Sequence, residues 1–239
     1  MKEKIERIRE INKCLIKRYG IPPRPEELPA PVDMLIATIL SQNTNDNNSF
    51  KAYKNLRSRF SSYDEIITAK QSILEKTILS AGLTQQKASA IKNFLKTIHS
   101  EKGKITLDYI AGMGNEKAIE ELIRFKGVGI KTASCVLLFA LGRNVCPVDT
   151  HVNRITNRLG LVKSSAPDKT YFLLNDGFPR RIAHQFHTNL IKLGREICKP
   201  SRPSCAVCPL KKLCIFEEKN FEFNNKTVRK DFMLLDNVG

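Results

Sequence analysis

Acidic residues are in short supply in this chain: 24 Asp plus Glu stand against 40 Lys plus Arg, leaving a formal charge of +16 over 239 residues. That imbalance produces a field that draws polyanions, nucleic acid being the usual one. General surface solubility is the plainer reading, but the charge is unevenly spread. Between Arg180 and Lys212 stand Arg180, Arg181, Lys192, Arg195, Lys199, Arg202, Lys211 and Lys212, with Glu196 as the only acid. Long apolar runs are missing as well, which excludes a membrane-spanning helix. The opening M-K-E-K-I-E-R-I-R-E alternates charges instead of building an apolar signal core. A soluble cytoplasmic chain is expected, nucleoid-associated if its source is prokaryotic. No stretch alternates apolar and polar residues with a period of two, so a sheet is not expected. Finally, an even cysteine count is lacking. Seven cysteines, four of them within 17 residues, argue against a secreted disulfide framework and for a metal or cluster site. Cys14, Cys135 and Cys146 sit in apolar contexts where a buried thiol is the default.

What is present reads as helix almost throughout. Ile5, Ile8, Ile11, Leu15 and Ile16 recur at helical spacing over residues 2–18, and the proline-rich Ile21–Pro31 stretch stops that helix. An apolar helix follows from Val32, then a polar Q-N-T-N-D-N-N stretch that is a loop or a helix start. Further helices are expected at about 50–60, 64–80, 86–100, 115–125, 130–142, 150–159 and 180–197. The fold class is all-α, a bundle of short helices joined by tight turns. Length allows one large domain or two small ones. Gly82–Ala88 faintly echoes Gly127–Ala133, each a glycine turn leading into a helix.

Three constellations carry chemistry. In K-G-V-G-I-K-T-A, Lys126–Ala133, Gly127 and Gly129 allow a tight turn and close approach of another backbone, so the amides of the next helix can donate to a phosphate. A corner that uses its glycines only for geometry is an equal reading of that pattern alone. Lys131 sits in the first turn, where the helix dipole and partial burial under a ligand favour the neutral amine, a competent nucleophile towards a sugar carbon. A merely solvated lysine is the bland alternative. Asp149, in V-D-T-H, is placed as a helix N-cap and could also support attack by Lys131 and stabilise charge developing on a sugar. The third constellation is Cys198-x6-Cys205-x2-Cys208-x5-Cys214, four thiolates suited to zinc or an iron–sulfur cluster.

F-K-G-V-G-I-K-T-A-S followed by P-V-D-T-H closely resembles the helix-hairpin-helix and Gly/Pro-Asp signature of base-excision DNA glycosylases of the endonuclease III type. The cysteine spacing is similar to the 4Fe–4S loop of those enzymes. The resemblance covers roughly residues 30–214 and implies that Lys131 attacks C1′ of a damaged nucleotide while Asp149 supports the attack. Lys126 stands where family members commonly carry proline, a change in hairpin rigidity that adds a candidate phosphate contact. Gln42 and Leu83 match positions where the family inserts side chains into the duplex once a base is flipped out. Their alternatives are helix termination and core packing, and the motif around Gln42 departs from the commonest form by about one residue. His151 is equally a DNA contact or a packing histidine. Lys199, Arg202, Lys211 and Lys212 would face the phosphate backbone from the cysteine loop.

The resemblance therefore implies a two-lobed all-α enzyme acting as a monomer on duplex DNA with damaged bases or abasic sites, carrying a 4Fe–4S cluster on Cys198, Cys205, Cys208 and Cys214. A helical domain over 31–143 holds the hairpin, residues 1–30 join 144–220 around the cluster, and 221–239 forms a tail expected to be mobile. The reaction would be base excision, of oxidised pyrimidines first, followed by β-elimination through a Lys131 Schiff base. Alternatives are a mismatch thymine or uracil glycosylase, an oxoguanine glycosylase, and a DNA-binding scaffold without catalysis. Adenine mismatch glycosylases typically lack a lysine at the position of Lys131 and carry a further domain after the loop, where this chain has only 25 residues.

Overall fold

The computed structural model of the chain describes residues 2–222 and 233–238. Among them there is no strand. Eleven α-helices run in the order α1 (Lys2–Tyr19), α2 (Pro31–Ser41), α3 (Asp46–Arg59), α4 (Tyr63–Thr68), α5 (Gln71–Thr77), α6 (Thr84–Lys102), α7 (Asn115–Ile123), α8 (Ile130–Phe139), α9 (Thr150–Arg158), α10 (Pro167–Asn175) and α11 (Ala183–Glu196). No helix among the described residues is long and apolar enough to cross a membrane. The chain divides into two compact units, one from residues up to Arg24 and from Asn144 onward, the other from Pro25 to Arg143 with the closing 233–238 segment.

In the first unit α1 packs on α11. The helix places Glu3 in its first turn and Lys17 and Arg18 in its last, complementing the dipole, and buries Ile8, Ile11 and Leu15 along one stripe. Its C-terminal end is pinned. Arg18 Nη2 donates to the buried Glu196 Oε1 at 2.8 Å, and Asn189 Nδ2 donates to the carbonyl of Gly20 at 2.9 Å. A carboxylate taken out of water is stable only with such partners, so this ion pair fixes where α1 ends on α11.

The second unit is built round α2, buried at Val32 and from Met34 through Leu40, with Asp33 half-buried and paired to Arg57 at 3.5 Å. Pro31 starts it at a position where the missing N–H costs nothing. Helices α3, α6 and α8 surround it. The short turn at Leu234–Asp236 also packs on α2 and α3, burying Met233, Leu234 and Val238. Of the expected tail, 233–238 are thus packed, and residues 223–232 and 239 lie outside the described residues. Each of the three buried apolar side chains, Met233, Leu234 and Val238, contributes about 1.5–3 kcal/mol, so deleting 233–239 is expected to cost about 4.5–9 kcal/mol, read as a lower urea midpoint.

Two further differences from the sequence reading have physical causes. The helix expected over 64–80 is broken at Ala69, whose ψ of 147° ends α4, and Lys70 then caps α5. Residues 167–175, unassigned from the sequence, form α10, started by Pro167 at its first turn.

Candidate functional site

The turn between α7 and α8 is built as its glycines suggest. Gly127 has φ +90°, a left-handed conformation that a side chain would strain, and a Cβ there would stand 3.1 Å from Ala90 Cβ on α6. Phe125, just before it, meets Phe94 of α6 edge-on at 5.0 Å between centroids, which seats the turn on α6. Gly129 is the N-cap of α8 and gives its first-turn amides no side-chain acceptor. Space for a Cβ on Gly129 is empty to 4 Å, so the helix start is open from outside. Lys126 is exposed and Lys131, the second residue of α8, is half-buried. An uncapped helix N-terminus with open amides is chemically suited to an anion. At the other end Gly142 (φ +67°) reverses the chain, and Arg143 donates its backbone N–H to Leu137 O at 2.9 Å.

Gln42 and the turn are in direct contact. Gln42 closes α2 as its C-cap, and its Nε2 donates to Gly127 O at 3.0 Å and Thr132 Oγ1 at 3.3 Å. Termination and proximity to the hairpin are thus both true of it. Leu83 is not a core residue: it is 49% exposed, caps α6, and holds φ +47°. A left-handed leucine side chain facing solvent is strained by about 1 kcal/mol or more. The faint echo between Gly82–Ala88 and Gly127–Ala133 is real in form, each a positive-φ glycine leading into a helix.

In the other unit Asp149 is the N-cap of α9, its Oδ1 accepting from Val152 N at 2.8 Å. The backbone leading to it is braced. Asn175 accepts from Cys146 N at 2.7 Å and donates to Cys146 O at 3.0 Å, while the buried His187 ring donates from Nδ1 to Pro147 O at 2.9 Å. His151, two residues on, is packed so closely on Gly194 that a Cβ there would come within 2.7 Å of its Nδ1. Arg154 donates to that nitrogen at 3.0 Å, which leaves the ring proton on Nε2, and burial pushes the imidazole below its ordinary pKa. Packing is what the geometry shows for His151.

Helix α9 also holds the cysteine loop. Arg154 donates to Cys198 O from Nε at 2.9 Å and Nη2 at 2.8 Å. Arg158 donates to Lys199 O at 2.8 Å and Pro200 O at 2.9 Å, and stacks over Phe216 at 4.0 Å. Cys198, Cys205, Cys208 and Cys214 line one cavity, with Arg158, Lys211 and Lys219 beside them. Arg158 Nη1 lies 3.3 Å from Cys198 Sγ, and burial pushes the Cys208 thiol up to about 12. Among the described residues, no group of three or more His, Cys, Asp or Glu is arranged to hold a metal ion. Lys199, Arg202, Lys211 and Lys212 are all exposed on this loop.

The structure thus joins Gln42, Gly127 and Thr132 in one unit, and Asp149, His151 and the cysteine loop through α9 in the other. Sequence reasoning missed Thr132, Asn175, His187, Arg154 and Arg158. Their motifs carry no signal, because Thr132 meets the distant Gln42 side chain and the other four act on backbone groups far away in the chain.

Comparison with known proteins bears on these features. Residues 36–180 match the model of a family described as HhH-GPD superfamily base excision DNA repair protein. Endonuclease III of Thermotoga maritima is 34% identical over 93% of this chain and 100% of its own length. A relative from Arabidopsis thaliana, provisionally named a DNA glycosylase, is 39% identical over 73% of this chain, which spans only 60% of that relative. Among solved structures, a trapped covalent intermediate of endonuclease III with DNA, an estranged-adenine complex, is 30% identical with a TM-score of 0.70, over 87% of this chain and 95% of that one.

Proposed function

Because the chain belongs to the HhH-GPD superfamily of base excision DNA repair proteins, we propose that it is a bifunctional DNA glycosylase and abasic-site lyase that removes oxidised pyrimidines from duplex DNA. The observation that carries the reading is the start of α8: open amides under a glycine cap, with Lys131 in the same turn. The amides and Lys126 hold phosphate, and that grip presents the adjoining sugar to an amine. Lys199, Arg202, Lys211 and Lys212 add sequence-independent affinity by releasing counterions. Gln42 and Leu83 enter the duplex when the damaged nucleotide leaves the stack.

Each bond change has an agent. The Lys131 amine attacks C1′ as the N-glycosidic bond breaks, and the base departs with the bonding pair and takes up the proton that the attacking nitrogen gives up. The Asp149 carboxylate stabilises the positive charge that grows on the sugar. Ring opening gives an iminium between Nζ and C1′. Loss of a proton from C2′ then breaks the C3′–O bond, releasing the 3′ phosphate, and water hydrolyses the iminium to restore the amine.

Four cysteines with no carboxylate or imidazole among the lining residues form an all-sulfur donor set, the kind that takes zinc or iron–sulfur clusters. Arg158, Lys211 and Lys219 oppose the charge that four thiolates bring, so the donor types of Cys198, Cys205, Cys208 and Cys214 suit a 4Fe–4S cluster, although among the described residues the four sulfurs are not drawn into a metal-holding group. Such a group supplies cross-linking of the loop when bound; no bond change above depends on it.

Borohydride trapping on duplexes bearing thymine glycol or an abasic site tests the reading. A covalent adduct on both, with cleavage 3′ to the site, is expected. Binding without any adduct on abasic duplex points to a scaffold, and excision confined to mismatched thymine or uracil, or to oxoguanine, moves the specificity. Asp149→Asn separates chemistry from structure, because asparagine caps a helix as well as aspartate does. Excision is expected to fall by about 10²-fold or more while the melting temperature stays put. A matching loss of both would reduce Asp149 to its cap.

A further inference from the structure

Lys87, the fourth residue of α6, is buried with 3% of its surface exposed. Its Nζ donates to Leu40 O at 2.9 Å and to Ala81 O at 2.8 Å. Burial alone pushes its ammonium down to about 8. An amine in such a place is costly, and general stability is better served by an apolar side chain.

Both acceptors are orphans of helix ends. Leu40 O belongs to the last turn of α2, and Ala81 ends the short 3-10 turn Leu79–Ala81; neither carbonyl has a following helix to donate to it. A cation at the C-terminal end of α2 is also where the dipole favours one. The two carbonyls share a further property: each lies two residues before a candidate for insertion into DNA, Gln42 after Leu40 and Leu83 after Ala81. Both segments then carry strained backbone, Asn43 at φ +51° beside Gln42 and Leu83 itself at φ +47°. Left-handed non-glycine residues persist only where their surroundings over-determine them. The backbone N–H of Lys87 adds a third tie, donating to Leu83 O at 3.0 Å.

We propose that Lys87 is a positioning residue that bolts the Gln42 and Leu83 segments together from inside the fold and so sets their joint reach into a duplex. This rests on the reading that Gln42 and Leu83 enter the helix. Lys87 touches neither DNA nor the reacting atoms. Its effect is confined to substrates whose stack must be opened, since an unpaired site needs no wedge.

The test compares trapping rates on an abasic site in a fully paired duplex with the same site in an unpaired bubble. A 2-aminopurine opposite the site reports unstacking by its fluorescence. Lys87→Met removes the donors at similar length and is expected to lower the paired-to-bubble rate ratio by about tenfold, with the fluorescence rise lost. Lys87→Arg, which keeps donors and charge, is expected to recover much of that ratio, and Lys87→Gln to fall between, so the series reads out even if the methionine variant folds poorly. Equal losses on both substrates, or an unchanged ratio with Lys87→Met or Lys87→Gln, overturn the proposal and leave Lys87 a structural residue. Gln42→Ala and Leu83→Ala run beside them. If these leave the ratio unchanged, the insertion reading itself fails and the proposal falls with it, a result distinct from failure at Lys87 alone.

Discussion

Lys131→Ala is expected to abolish the borohydride adduct and to lower strand cleavage at abasic sites by on the order of 10³-fold or more, because the attacking atom is gone and no other group supplies it. Affinity for the same duplex should change little. The open amides of α8 and the exposed cations of the cysteine loop remain, and one lysine contributes about one counterion among many. The measurement is a pair of titrations, adduct yield against time and binding against salt, on one abasic duplex. An adduct that survives in Lys131→Ala would falsify the assignment of the nucleophile and turn attention to another amine.

The second large effect is expected at the cysteine loop. Wild-type protein prepared without oxygen should carry about four irons per chain, whereas about one zinc per chain would replace the cluster by a single-ion site. Cys208→Ser removes one of the four sulfurs that line the cavity and is expected to lose the metal entirely. The loop would then depend on hydrogen bonds, chiefly those of Arg154 and Arg158 to its carbonyls at Cys198, Lys199 and Pro200 and that of Arg7 to Leu213 O. Limited proteolysis should cut between Cys198 and Cys214, with the melting temperature lowered by roughly 10 °C. DNA affinity should weaken alongside, since Lys199, Arg202, Lys211 and Lys212 lose their shared support. A Cys208→Ser protein that keeps its metal, its protease resistance and its affinity would remove the cluster from this reading.

How far the sequence carried these conclusions differs by feature. The α7–α8 turn was legible because the amphipathic helices on both sides and two glycines leave few ways to connect them. The N-cap role of Asp149 was equally open, since capping is a local property of residue type and position. Helix α10 was not legible: Tyr171, Phe172, Leu173 and Leu174 form an unbroken apolar run, and its periodicity is hidden. The break at Ala69–Lys70 carries neither proline nor glycine, so nothing local announces it. Lys87 was least legible of all. A lysine in T-Q-Q-K-A reads as solvated, and only the meeting of Leu40 and Ala81 carbonyls reveals why it is buried. The closing Met233, Leu234 and Val238 are too few to show a period, and their burial comes from α2 and α3, nearly two hundred residues earlier.

Neither compact unit is a continuous piece of chain, and this bears on the order in which the molecule is born. Helix α1 leaves the ribosome long before α11, the helix that covers its apolar stripe. At ordinary synthesis speeds that interval is roughly 10–35 seconds. During it Ile8, Ile11 and Leu15 have no partner in their own unit, while α2 through α8 can already gather around their core. The loop with the four cysteines emerges later still, after the two arginines of α9 that anchor it. The last apolar residues of the described chain then close the unit that began assembling first.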